Sequence, residues 1–346
     1  MSVSMPHWGN NLAIEAQQVI YSGGALSSGV EIAELNKRMA ELDYSRNRQE
    51  IRFMLIGYYL ELYKLDNQKK ALMKNLELSE QVIRNMETRC DQGTALKNDI
   101  TRYELQKETL KLQLAKVEDA STILNHQLVT TLHMPNGTVI QPDTFLLNAE
   151  LKTFSLDEWQ EIASKNNINL RQSALSVKIN DRKLKIEKSE QLPKVAFIAE
   201  EHLDGPILIE VPVINKNFDY WFVGVGVQYN LSSLFKNNSK IRQAKLNRKQ
   251  AYERHDVAAE RIENEIQANY INYLTSFTDL HTQKKSVELA DQNYKVTSNR
   301  YKNDLALLTD MLDASNMKLS ADLNLVNARI NVIYNYYKMK YISHTL

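Results

Sequence analysis

One cysteine, Cys90, is all that this chain of 346 residues contains. That excludes an internal disulfide and a thiolate metal cage. Histidine is scarce too, with 7 copies, and the nearest pair, His126 and His133, has no acidic partner at metal-ligand spacing. Glycine numbers 10 and proline 6. So few breakers argue against a loop-rich β-sandwich and against a glycine-rich phosphate loop. The patterns HExxH, GxSxG, GxGxxG and Walker A are missing from the sequence. Neither sign of charge dominates. The 43 Lys and Arg against 42 Asp and Glu leave a formal net charge of +1. A strongly basic nucleic-acid binder and an acidic disordered tail are thereby excluded. No run of 18 apolar residues exists, so no transmembrane helix is expected. The opening residues do not read as a signal peptide. No catalytic, cofactor-binding or metal-ligating residue is assigned, and an enzyme is not expected.

What remains is 43% apolar and 25% charged, ordinary for a folded chain. Two stretches without proline stand out, from Pro6 to Pro135 and from Pro212 to the end. Proline breaks helix interiors and glycine weakens them, so both stretches permit very long helices. A helix of ~60 residues reaches ~90 Å, longer than a globular core is thick, and so implies a coiled-coil rod. Ile100, Tyr103, Leu110, Leu114, Val117, Leu124 and Leu128 follow steps of three and four, with Lys107 and Ser121 in the gaps. Leu312, Leu319, Leu323, Val326, Ile330, Ile333 and Tyr337 trace a second stripe.

The two halves are self-similar at a constant offset of 211 residues. Ala33, Leu35 and Asn36 match Ala244, Leu246 and Asn247. Tyr59 matches Tyr270, and Glu77, Leu78 and Gln81 match Glu288, Leu289 and Gln292. Arg89 matches Arg300, Ala95, Leu96 and Asp99 match Ala306, Leu307 and Asp310, and Lys107 matches Lys318. Polar matches in one register point to a duplication. Residues 1–132 read as a first repeat, 133–154 as an equatorial linker and 155–346 as a second repeat. The second repeat opens with a helix, capped at Ser155 and Glu158 and running to about Gln191. A β-hairpin over 193–231 and a long helical hairpin follow. The first repeat has no counterpart of the opening helix or of one strand. That implies a missing N-terminal portion.

Residues 220–231 alternate strictly. Trp221, Val223, Val225, Val227, Tyr229 and Leu231 occupy one face, with Tyr220, Phe222, Gly224, Gly226, Gln228 and Asn230 on the other. An apolar face ending in aromatics, backed by small and polar residues, suits a membrane-spanning strand. Residues 194–203 and 8–21 alternate less cleanly, around a hairpin loop at 204–219 that holds Pro206 and Pro212. So few strands cannot close a barrel, and they must pool with those of other subunits. The helical stretches turn near 92–98 and 303–309. Gly93 suits a left-handed helix end, and Asn98 or Thr309 suits a cap. Asp310 and Asp313 share one helix face beyond the second turn.

Taken together, these features resemble the TolC-like outer-membrane efflux family. The resemblance rests on Val19-Ile-Tyr-Ser-Gly-Gly24, Arg89 with Gly93, Leu192-Pro193, Arg300-Tyr301 and the run from Thr309 to Ala314 with Asp310 and Asp313. One departure is Asp304, where the family usually has glycine. The implied fold is mainly α with a small β part: long antiparallel helical hairpins plus membrane strands contributing to a trimeric β-barrel and α-barrel. The family's protomers bring four strands each to a twelve-stranded barrel; three per chain would give nine. The resemblance further implies a homotrimer at the cell outer membrane, in contact with lipid, with a long periplasmic part. It would meet a periplasmic adaptor protein and an inner-membrane transporter, without cofactor or nucleic acid. Substrate would pass by passive conduction. Asp310 and Asp313 would ring the tunnel constriction. Arg89, Asp99, Arg300 and Tyr301 would hold the tips closed, and Leu96 and Leu307 would meet the adaptor. A cytosolic coiled-coil scaffold or membrane-remodelling rod is the rival reading. It leaves Trp221–Leu231 unexplained.

Overall fold

The computed structural model describes residues 6–93, 96–143, 151, 154–206, 214–303 and 305–346. Pro212, Ala95, Asp304, part of the 204–219 loop and part of the 133–154 linker lie outside the described residues. The chain forms two compact units, each drawing on both halves of the sequence. One comprises residues 1–43 and 169–259, the other 44–168 and 260–346.

The first unit holds three antiparallel strands, β1 (Asn10–Tyr21), β2 (Lys194–Gly205) and β3 (Phe218–Gln228), in the order β1-β2-β3. It also holds the start of α1 (Ala25–Asp91), all but the first residue of α4 (Ile168–Ser189), the short α5 (Ser233–Lys236) and the start of α6 (Asn238–Lys302). Gly23, at φ +62°, turns β1 into α1, and a Cβ there would lie 2.9 Å from Leu192 Cδ1. Both the dihedral and the space therefore require glycine. Polar contacts join α4 to both long helices. Arg182 pairs with Glu31, Gln172 donates to Asp43 at 2.8 Å, and Tyr252 donates to Asp181 at 3.4 Å. Asn237, buried, donates to the Glu187 carbonyl at 2.6 Å.

The second unit holds the rest of α1 and α6, together with α2 (Lys97–Thr131), α3 (Leu156–Asn166) and α7 (Leu308–Ile342). Its core is a succession of seam layers. Leu62 and Leu65 pack on Leu124 and Leu128, Leu72 on Leu110 and Leu319, and Leu60 on Ile330 and Ile333. So α1 is covered by α2 and by α7, and both apolar stripes seen in the sequence are used. Helix ends follow local chemistry. Gly93, at φ +71°, stops α1, and His133, at φ 54°, with Pro135 beyond it, stops α2. Both return helices have 35 residues, and they begin at Lys97 and Leu308, at the 211-residue offset of the sequence matches.

Two expectations need correction. The helix expected from 155 to about 191 is broken. Ser155 and Glu158 do form the capping box of α3, but Asn167 takes ψ 120° and ends it. The buried Asn167 amide donates to the Ile342 carbonyl at 2.9 Å, satisfying a helix-end acceptor that a continuous helix would leave open. The hairpin tips are not capped by Asn98 or Thr309. The N-cap residues are Leu96 and Leu307, and neither helix has a side-chain oxygen at its cap.

Candidate functional site

Paired residues of an antiparallel ladder share a face, so the register sorts the sheet. One face carries Leu12, Ile14 and Ala16 of β1, Val195, Phe197, Ala199 and Leu203 of β2, and Trp221, Val223, Val225 and Val227 of β3. It is apolar except for Asn10, Gln18, Glu201 and Asp219, and much of it is uncovered. Trp221 is 73% exposed and Val225 64%. Tyr229, expected in this strand, lies one residue beyond its end and reaches the Gln191 carbonyl at 3.4 Å. The other face carries Glu15, Gln17, Glu200, His202, Asp204, Tyr220 and Phe222, narrowing to Gly224 and Gly226. Among the described residues, both β1 and β3 are edge strands with one side unpaired.

The helical tips are built on a cluster drawn from four helices. Ile83 and Met86 of α1, Tyr103 of α2, and Leu308 and Met311 of α7 are buried there, against Tyr294 and Tyr301 of α6. Arg89 and Tyr301, both singled out by sequence, meet across the tips. The guanidinium donates to the Tyr301 carbonyl at 3.4 Å and lies 5.4 Å from the centre of its ring. Burial pushes the Tyr301 phenol up. Arg89 partly offsets this, and Asp99 adds to it. Burial also raises the Tyr103 phenol, whose hydroxyl has no hydrogen-bond partner among the described residues. Arg300 acts locally, donating to the Leu305 carbonyl of its own turn at 3.1 Å. Asp310 accepts from the Leu307 backbone N–H at 3.0 Å, a carboxylate at a helix N-terminus where the dipole favours it. Both Asp310 and Asp313 are exposed, and Asp313 makes no ion pair among the described residues. Leu96 and Leu307 are 69% and 70% exposed at equivalent cap positions.

Two partners went unnoticed in the sequence. Lys107, which interrupts the α2 seam, pairs with Glu80 of α1 at 3.0 Å. Its match Lys318 pairs with Asp291 of α6, 27 residues upstream, and lies 5.3 Å from the centre of the Tyr294 ring. The signal was present as an acid 27 residues before each matched lysine, at Glu80 and Asp291. Lys318 holds the Asp291 carboxyl below its ordinary range, while burial raises Asp322 nearby.

The family profile "outer membrane efflux protein" matches residues 159–336, just over half of the chain. The chain belongs to the outer membrane efflux protein family. The fold agrees. The outer membrane protein VceC of Vibrio cholerae superposes with a TM-score of 0.85 at 14% identity, over 99% of this chain and 82% of that one. The CmeC outer membrane channel of Campylobacter jejuni gives 0.77 at 13% identity, over 98% and 77%. The MtrE outer membrane channel of Neisseria gonorrhoeae, in its open state, gives 0.78 at 12% identity, over 97% and 80%. No curated protein sequence matches the chain. This outer membrane efflux protein is thus mainly helical with a small antiparallel sheet. Its family is one of channels rather than enzymes, which decides against the coiled-coil scaffold. No helix among the described residues is long and apolar enough to cross a membrane.

Proposed function

We propose that copies of this chain assemble around an axis, three to a complex, into an exit duct through the outer membrane. The observation that carries this reading is the sheet. It has two unpaired edges and an exposed apolar face from Ile14 to Val227. Pooling strands between copies removes the edges, and lipid covers the apolar face. A groove of about 790 Å³ beside the sheet, lined by Val19, Leu26, Val30, Ile198 and Val227, is where a neighbouring copy packs.

The helical hairpins continue the bore into the periplasm. Substrate moves through it passively, driven by an inner-membrane transporter and received through a periplasmic adaptor. Three-fold repetition turns Asp310 and Asp313 into two carboxylate rings at the constriction, which draw in cations. The Arg89–Tyr301 contact, the Arg300 turn and Asp99 hold the tips. The exposed Leu96 and Leu307 dock the adaptor. The division into two repeats around a linker at 133–154 belongs to this reading.

In planar bilayers the full chain is expected to conduct, and multivalent cations to block it. Asp310→Ala with Asp313→Ala weakens that block. A chain that stays monomeric in detergent overturns the assembly, and unchanged block overturns the rings.

A further inference from the structure

We propose that Glu15, Glu200 and His202 form a site for a divalent transition-metal ion of the Zn2+ class. The sequence hides it, because β1 and β2 are far apart in the chain. The register makes it. Glu15 opposes Glu200 directly in the β1–β2 ladder, and His202 lies two residues along β2 on the same face. One donor atom from each lies within 4.8 Å of the other two. His202 Nε2 and Glu200 Oε2 are 3.3 Å apart. That is close to the ~3.4 Å edge of a tetrahedron with metal–ligand bonds of ~2.0–2.2 Å. Two carboxylates and an imidazole are a donor set suited to Zn2+, with water completing the shell.

Three features set this group apart from a chance gathering of surface charges. Like charges directly opposite one another destabilise a ladder, and neither glutamate is paired with Lys or Arg among the described residues. The His202 ring is held in place. It stacks on Tyr220 with centroids 4.8 Å apart and planes 3° from parallel, and the Tyr220 hydroxyl is anchored on Asp204 at 3.4 Å. Its Nδ1 is buried and has no hydrogen-bond partner among the described residues. For the chain alone this arrangement is costly, and a divalent cation neutralises the excess charge.

All three ligands come from one chain, so binding requires no assembly and is separable from conduction. The test is calorimetric titration of the metal-free full chain in detergent with Zn2+, and with Co2+ to read the ligand field. Wild type is expected to bind at a single site per chain, with an imidazole ligand in the Co2+ spectrum. His202→Ala and the nearly isosteric Glu15→Gln each weaken binding by more than about tenfold. Glu201→Gln, adjacent in sequence but on the opposite face, leaves it unchanged. Equal binding by wild type and His202→Ala, or an equal loss in Glu201→Gln, overturns the site.

Discussion

In the helical unit, Leu60, Leu72, Leu110, Ile330 and Ile333 are buried by helices of the same chain. In the sheet unit, Ile14, Trp221, Val223, Val225 and Val227 are as apolar and stand uncovered. The inner seams of the hairpins close within one protomer, while Leu105, Leu112, Ile123, Ile271 and Leu289 stand exposed on other faces of the same helices. The apolar seam positions pack on partners in neighbouring helices, and where Lys107 interrupts the seam Glu80 of α1 answers it. The sheet, among the described residues, has two edges without a neighbouring strand and an apolar face left exposed. The contrast is between a helical seam buried within the chain and a sheet face that nothing in the chain covers.

The comparison can be broken at several points. The largest effect is expected inside a hairpin. Met86, fully buried among the tip helices, should cost about 2–5 kcal/mol when changed to alanine, read by denaturant unfolding of the helical signal. Met73→Ala, at an exposed position of the same helix, should stay within about 0.5 kcal/mol. Next comes Val225→Arg on the sheet. A cation on a lipid-facing strand costs about 2–4 kcal/mol near the bilayer midplane. Loss of outer-membrane assembly with the helical signal retained is the expected outcome. Normal assembly would remove the lipid from the comparison.

The paired lysines give a smaller and finer test. Lys318 is largely buried, so Lys318→Met should cost about 1–2 kcal/mol, between the values of exposed and buried pairs. Lys107→Met, in the more open pair, should cost less. The smallest effect is in pH. Asp291 has a depressed carboxyl, so its contribution is present above the ordinary aspartate range and is lost as pH falls through the depressed value. Asp322 has a raised carboxyl and acts in the opposite sense. Its ionisation costs stability above the raised value, and protonation relieves that cost. The melting temperature should therefore rise slightly as pH falls towards the carboxylate range, then drop. Asp322→Asn should flatten the rise.

Much of this was legible beforehand. The scarcity of proline and glycine marked out the long helices, the three- and four-step stripes marked their seams, and strict alternation marked β3. Tip residues were legible by their repetition, and Arg89 and Tyr301 do meet. The break at Asn167 was not legible, because its buried amide meets an acceptor distant in the chain, the Ile342 carbonyl. The caps were misread because Asn98 and Thr309 have capping side chains but sit one residue inside their helices. Here the carboxylate of Asp310 reaches back to the backbone N–H of Leu307 instead.

Periodicity and breakers are local properties, and they determined from sequence alone which segments are helix or strand, where the hairpins turn and which face of each is apolar. Only the tertiary structure decided which residues meet across those faces. The pairing of Glu15 with Glu200, the partners of Lys107 and Lys318 and the capture of Asn167 depend on register between segments distant in the chain. A shift of one residue in a strand would move every side chain to the other face without changing the sequence pattern.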